Sequence, residues 1–202
     1  MSRTKTTGRA DSDSDSGTSV CIFPTDIGWM GIAGRIGIVQ SVLVGHPSAI
    51  SVGQAVRSLL NEGGSHQASF REEDWHPRLR ETLTEYALGR RVDFEEFDLS
   101  LPPRTPFRDK VLAATRQLGY GMTTTYGELA RHVGHPGAAR AVGTVMSSNR
   151  FPILIPCHRV LAAGGRLGGY TSPAGPDLKQ RLLEMEQSSR GEPAACPASC
   201  FN

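Results

Sequence analysis

Residues 151–160 read FPILIPCHRV, and no other stretch restricts the chain as strongly. The run from Phe151 to Pro156 is mostly apolar and bounded by prolines, a pattern that predicts a short buried strand. It ends on Cys157, His158 and Arg159 together. In an extended chain neighbouring side chains point to opposite faces, so direct contact between Cys157 and His158 requires a sharp turn. Adjacent residues are also poor ligands for one metal, whose donors come from spaced positions. A water-bridged relay, or a turn at Pro156, would let His158 serve the thiol as a base. Without such help a thiol is mostly protonated at neutral pH. At this point a structural buried cysteine and a Cys–His hydrolase both stay open.

The chain has 202 residues, 38% hydrophobic and 21% charged, which is the composition of a globular protein with a real core. No apolar run approaches the roughly 20 residues that span a bilayer, and the polar N-terminus lacks the apolar heart of a secretory signal. Cys21, Cys157, Cys196 and Cys200 match neither a zinc site nor a disulfide framework. A reduced intracellular compartment, cytoplasmic or (in a eukaryote) nuclear, is therefore expected. The net charge of +2 is unevenly placed. Residues 1–100 hold 10 Lys/Arg against 14 Asp/Glu, whereas residues 101–186 hold 11 against 5. A basic second half suggests a polyanionic partner.

Changes of pattern divide the chain. Residues 1–18 are polar and expected to be disordered. From Val20 to Gly45, glycines separate β-rich pieces as in hairpins. Helical spacing follows at 49–61 and 77–91, the second placing Leu79, Leu83 and Tyr86/Ala87 on one face, with a loop between them. Nothing in this half looks catalytic; Trp75, His66 and His76 are expected at the surface or in packing. SLPPRTP at 100–106 reads as a linker because paired prolines break helix and sheet alike. A helix is expected at 107–118 and another over DLKQRLLEMEQ, with a flexible tail from 188 to 202. The fold class is thus α/β: a small N-terminal α/β domain (19–102), then a mostly helical domain (103–187) with a buried active-site strand.

TTTYGELARHVGHPGAARAVGTVMSSN at 123–149 adds a helix-turn-helix to that second domain. Thr125 and Glu128 have the spacing of a capping box. The second helix is rich in small residues, among them Ala139 and Gly143, and Arg140 is its one charge. Major-groove readers carry several polar side chains; this helix suits close approach to a narrow minor groove, or else packing against the core.

Read in order, TTYGELA, PGAARAVG, SSN, PILIPCHRV, GGY and LKQRLLEME resemble the O6-alkylguanine-DNA alkyltransferases, the methylated-DNA–protein-cysteine methyltransferases. The resemblance is dense over about 103–187 and looser over FPTDIGWMGIAG and YALGRRVDF. It implies a DNA-repair protein that flips the damaged nucleotide out of double-stranded DNA and takes its alkyl group in one irreversible transfer, with O4-methylthymine as a second substrate. Cys157 would be the acceptor, His158 its base through a water, and Glu186 the carboxylate polarising that base. Asn149 would brace the turn before the active site, and Tyr126 would assist rotation and departure of the base. Arg140 would fill the gap in the duplex while Ala139 and Gly143 lie against the minor groove. Val160, through its backbone, with Gly169, Tyr170 and Thr171, would line the guanine pocket, and Arg159 would be structural. The resemblance further implies no cofactor, no metal and a monomer. A non-catalytic alkyltransferase-like lesion binder is the alternative, against which the presence of Cys157 speaks.

Overall fold

The computed structural model describes residues 17–61, 69–101 and 105–188. Three strands, β1 (Thr18–Thr25), β2 (Gly28–Arg35) and β3 (Ile38–His46), form the antiparallel meander expected from the glycine-separated pieces. Helix α1 (Ala49–Asn61) lies on one face of this sheet. Val52 and Val56 there meet Val20, Ala33 and Leu43 in a small apolar cluster. A short strand β4 (Phe70–Glu72) pairs parallel with β1, giving the order β3-β2-β1-β4. The sequence predicts a loop over this stretch. Three residues carry too little alternation to be read as a strand, and the pairing comes from the exposed edge of β1.

Helix α2 (Pro77–Ala87) packs on the other face of the sheet. His76 caps it by accepting from the Leu79 N–H at 3.4 Å, with Pro77 at the first turn, where a missing N–H costs nothing. Leu79, Leu83, Tyr86 and Ala87 are buried together, as their spacing predicts. Trp75 packs nearby and donates to the Ile32 carbonyl at 3.0 Å.

The second half consists of α3 (Pro106–Arg116), β5 (Thr124–Thr125), α4 (Tyr126–His132), α5 (Ala139–Ser147), β6 (Val160–Leu161) and α6 (Gly175–Ser188). One apolar core runs through both halves, taking Met30, Ile32 and Tyr86 from the first and Leu129, Val142, Ile155 and Leu182 from the second. Backbone bonds also cross, from Val42 N–H to the Arg150 carbonyl at 2.8 Å. Thr125 and Glu128 close the capping box of α4 on each other, and α4 and α5 pack as the helix-turn-helix.

The buried strand expected at Phe151–Pro156 is not a strand. These residues are buried but fold into turns, and Cys157–Arg159 form one turn of 3-10 helix. Pro152 and Pro156 remove two ladder donors, and Asn149 supplies bonds that a strand would have found in a partner. Its Nδ2 donates to the Ile155 carbonyl at 2.9 Å and its Oδ1 accepts from the Phe151 N–H at 3.0 Å. The turn carries Ile153 at φ +75°, a costly conformation for a β-branched residue. Only Val160–Leu161 pairs as a strand, parallel to Thr124–Thr125.

The tail expected over 1–18 lies outside the described residues as far as residue 16, and Thr18 already opens β1. His66, Cys196 and Cys200, the expected tail beyond Ser188 and the centre of the proline linker (102–104) also lie outside them. Among the described residues no helix is long and apolar enough to cross a membrane.

Candidate active site

The 3-10 turn resolves how neighbouring residues serve different ends. Cys157 borders a cavity of about 640 Å³, although only 5% of its surface is exposed. His158 turns the other way, into the core, where it is fully buried. Its Nε2 lies 2.9 Å from Glu186 Oε1, at the far end of α6. Its Nδ1 has no hydrogen-bond partner among the described residues.

Glu186 is the hub of this buried polar group. It accepts from the Tyr86 hydroxyl at 2.6 Å, from Arg159 Nη2 at 2.8 Å and from the Gly121 N–H at 2.8 Å. Gly121 adopts φ +69° in the turn that aims this N–H, a conformation that suits glycine. Burial favours the acid form of Glu186, but His158 and Arg159 outweigh it and hold the carboxyl far below its usual range. The His158 imidazole moves down, because burial disfavours imidazolium more than Glu186 supports it. The pair at neutral pH is therefore a carboxylate beside a neutral imidazole. Arg159 is buried; it also donates to the Leu118 carbonyl, and its guanidinium lies over the Tyr120 ring.

Burial also raises the pKa of the Cys157 thiol, against the opposing pull of a hydrogen bond from Asn149 and the positive charge of Lys179. Lys179 is itself fully buried. Its Nζ donates to the Val160 carbonyl at 2.7 Å and lies 5.9 Å from the Tyr126 ring centroid. Burial lowers its pKa to about 8. Val160 thus sits behind the cavity, with its carbonyl engaged by Lys179, and is not among the lining residues.

Most of the expected pocket and DNA-facing residues meet around this cavity. Tyr126, Ala139, Arg140, Gly143, Gly169, Tyr170 and Thr171 line it together with Cys157. Helix α5 buries Val142, Val145 and Met146 and leaves Arg140, Ala141 and Thr144 exposed, so its small-residue stripe faces outward. Tyr126, half-buried at the start of α4, presses its hydroxyl against Gly168, where a Cβ would come within 3.1 Å of it. Thr171 Oγ1 donates to the Ser147 carbonyl at 2.9 Å and ties the pocket loop to α5. The Tyr170 hydroxyl is buried without a partner among the described residues, and burial pushes its pKa well up, so it keeps its proton. Asn149, His158 and Glu186 stand behind the wall and do not line the cavity.

The polar contacts of Lys179 and of the Tyr86 hydroxyl are not among the sequence expectations. Lys179 had a signal: it shares a helical face with Leu182, Leu183 and Glu186, at i, i+3, i+4 and i+7, and charges on an apolar face are rare without a partner. Tyr86 had none, since its partners are 72 and 100 residues away.

The family model for the DNA-binding domain of 6-O-methylguanine DNA methyltransferase matches residues 106–188. Over 97 residues, 48% of this chain, the sequence is 44% identical to a methylated-DNA--protein-cysteine methyltransferase of Methanosarcina acetivorans. It is 38% identical over 117 residues to that of Methanosarcina mazei, covering 57% of this chain and 71% of that protein. The chain covers 61% and 58% of the length of the Methanosarcina acetivorans protein and of its Mycobacterium bovis counterpart. The fold is similar to that of Mycobacterium tuberculosis OGT in complex with DNA, with a TM-score of 0.67 and 28% identity over 91% of this chain and 99% of that one. It also resembles the O6-methylguanine-DNA methyltransferase of Pyrococcus kodakaraensis, with a TM-score of 0.64 and 29% identity over 84% and 98% of the two chains.

Proposed function

The chain belongs to the 6-O-methylguanine DNA methyltransferase family, and from that premise we propose that it is a DNA-repair alkyltransferase acting once per molecule. Its substrate is O6-alkylguanine in double-stranded DNA, with O4-methylthymine as a second substrate, and it works as a monomer. The observation that carries this reading is the placement of Cys157: a thiol at the floor of a cavity of about 640 Å³, with a buried His158–Glu186 pair behind it.

The thiol rests protonated, because burial raises its pKa. Its proton passes through water to the bare Nδ1 of His158, and the ionised Glu186 stabilises the imidazolium that forms. Lys179 and Asn149 then face the thiolate as a cation and a donor. The Sγ–C bond forms as the bond between the alkyl carbon and guanine O6 breaks, and the electron pair leaves with the guanine. Tyr126 eases that departure by donating a hydrogen bond to the base; burial, then the neighbouring Cys157, raises its pKa and keeps it a donor. The product is a thioether, which no group nearby can reverse, so one molecule removes one lesion.

A buried thiol cannot meet a stacked base, so the nucleotide must leave the duplex. The outward face of α5 suits the minor groove: Ala139 and Gly143 allow close approach, and exposed Arg140 enters the gap left in the stack. Gly169, Tyr170 and Thr171 close on the extruded base. The competing reading, a lesion binder without chemistry, keeps the groove and the pocket but gives no role to the thiol or to the charge relay behind it. The two separate when duplex carrying O6-methylguanine is incubated with the protein and with Cys157→Ala. Repair by the first and lesion binding without repair by the second support the transferase, whereas equal binding and no repair by either would establish the binder.

A further inference from the structure

The first half of the chain offered no catalytic signal, yet α2 sends one side chain into the relay. Tyr86 is fully buried, and its hydroxyl lies 2.6 Å from Glu186 Oε1 and 3.2 Å from His158 Nε2. Its ring is held edge-on against Phe94, Tyr120 and the His158 imidazole, with centroids 6.0, 6.1 and 6.4 Å away.

The proton arrangement follows from donor counting. Glu186 is ionised and can only accept, so the hydroxyl proton of Tyr86 points at Oε1. The phenol oxygen then presents lone pairs to His158. Nε2 of the imidazole faces two acceptors, the carboxylate and the phenol oxygen, and that setting is satisfied by N–H and not by a bare nitrogen. A neutral ring with its proton on Nε2 leaves Nδ1 as the accepting nitrogen. Oε1 meanwhile receives Tyr86 and Arg159 as well as His158, which weakens its claim on the imidazole proton.

We propose that Tyr86 is a positioning residue of the alkyl transfer, whose hydroxyl pins His158 in the Nε2–H tautomer and so keeps Nδ1 free as the proton acceptor. The inference rests on the catalytic reading above and deepens it, since it makes the first half of the chain part of the reaction machinery and not only a packing partner. Removing the hydroxyl leaves Nε2 with one acceptor in place of two and lets the Nδ1–H tautomer compete.

The test is Tyr86→Phe, which keeps the ring and removes one oxygen. Two quantities are measured near neutral pH: the nitrogen NMR shifts of the His158 ring, and the single-turnover rate of methyl transfer from O6-methylguanine duplex. The wild type is expected to show Nε2–H alone. The variant is expected to show a population of Nδ1–H, with a rate about 10-fold lower or less and unchanged affinity for the duplex. An unchanged tautomer overturns the proposal, even where the rate falls, because that pattern belongs to a structural role. If the wild type transfers no methyl group, the transferase reading fails, and the ring spectra still decide the tautomer. If Tyr86→Phe does not fold, the wild-type hydroxyl proton decides: slow exchange and a through-space contact with the Nε2 proton support the assignment, and a ring protonated on Nδ1 overturns it.

Discussion

His158 Nε2 and Glu186 Oε1 lie 2.9 Å apart, with neither side chain exposed to solvent. Such a pair is costly to bury, and its cost is offset only when every remaining polar atom finds a partner. Here Tyr86, Arg159 and Gly121 supply those partners to the carboxylate, and one nitrogen of the imidazole is left over. The leftover nitrogen is what a base needs.

Glu186→Gln removes the negative charge and leaves the Arg159 guanidinium buried beside a neutral amide. Loss of one partner from a buried ion pair costs about 3–5 kcal/mol. We expect a destabilisation of about that size in urea unfolding, with methyl transfer abolished. A variant within about 1 kcal/mol of the wild type, the range of an exposed pair, would show that the buried network contributes little.

Asn149→Ala breaks the two bonds that fold residues 149–155 into the turn presenting Cys157. Leaving the Phe151 N–H and the Ile155 carbonyl without those partners costs about 1–3 kcal/mol for each buried group. The strained Ile153 is then free to relax from φ +75°, and the thiol moves from the cavity floor. Thermal melting and transfer rate should both fall; a large loss of rate without loss of stability would point to a chemical role for Asn149 alone.

Acid should unfold the protein early. Burial lowers the pKa of His158 in the folded state, and it does the same to His46 and His76. Above about pH 6.5 the unfolded chain holds these imidazoles neutral as well, so the three histidines cost the folded state nothing there. As the pH falls below that, the unfolded chain takes up protons that the folded chain resists, and stability is lost as pH falls through the folded values. The melting temperature should drop steadily as the pH falls below about 6.5. A level melting temperature down to about pH 5, well past the ordinary histidine pKa, is incompatible with the buried neutral His158.

Arg140 is exposed on α5 and borders the cavity. Arg140→Ala should therefore leave stability within about 0.5 kcal/mol, as for other surface changes, while weakening binding to damaged duplex. Because the loss is not of a base-edge contact, it should be similar across flanking sequences. Unchanged affinity together with an unchanged transfer rate would remove Arg140 from the DNA interface.

Much of this arrangement was legible because its signals are local. The capping box at Thr125 and Glu128, the glycine breaks between β1, β2 and β3, and the apolar stripe of α2 each lie within a few residues of one another. Periodicity predicts a strand at 151–156, where the chain turns, because it cannot report that Asn149 replaces a ladder partner. The spacing of α2 places Tyr86 on its buried face, but its hydroxyl bonds across 100 residues of sequence, and no window along the chain contains both it and Glu186. Lys179 stood in the open, a charge on an apolar helix face, and the pattern around it was read for its leucines.

Peptide mass spectrometry decides whether Cys157 receives the alkyl group. After incubation with duplex containing O6-methylguanine, the peptide carrying Cys157 should gain one methyl group, the DNA should carry unmodified guanine, and the amount repaired should not exceed one lesion per protein. Repair with an unmodified Cys157 peptide, or repeated repair by one molecule, would rule out Cys157 as a single-use acceptor.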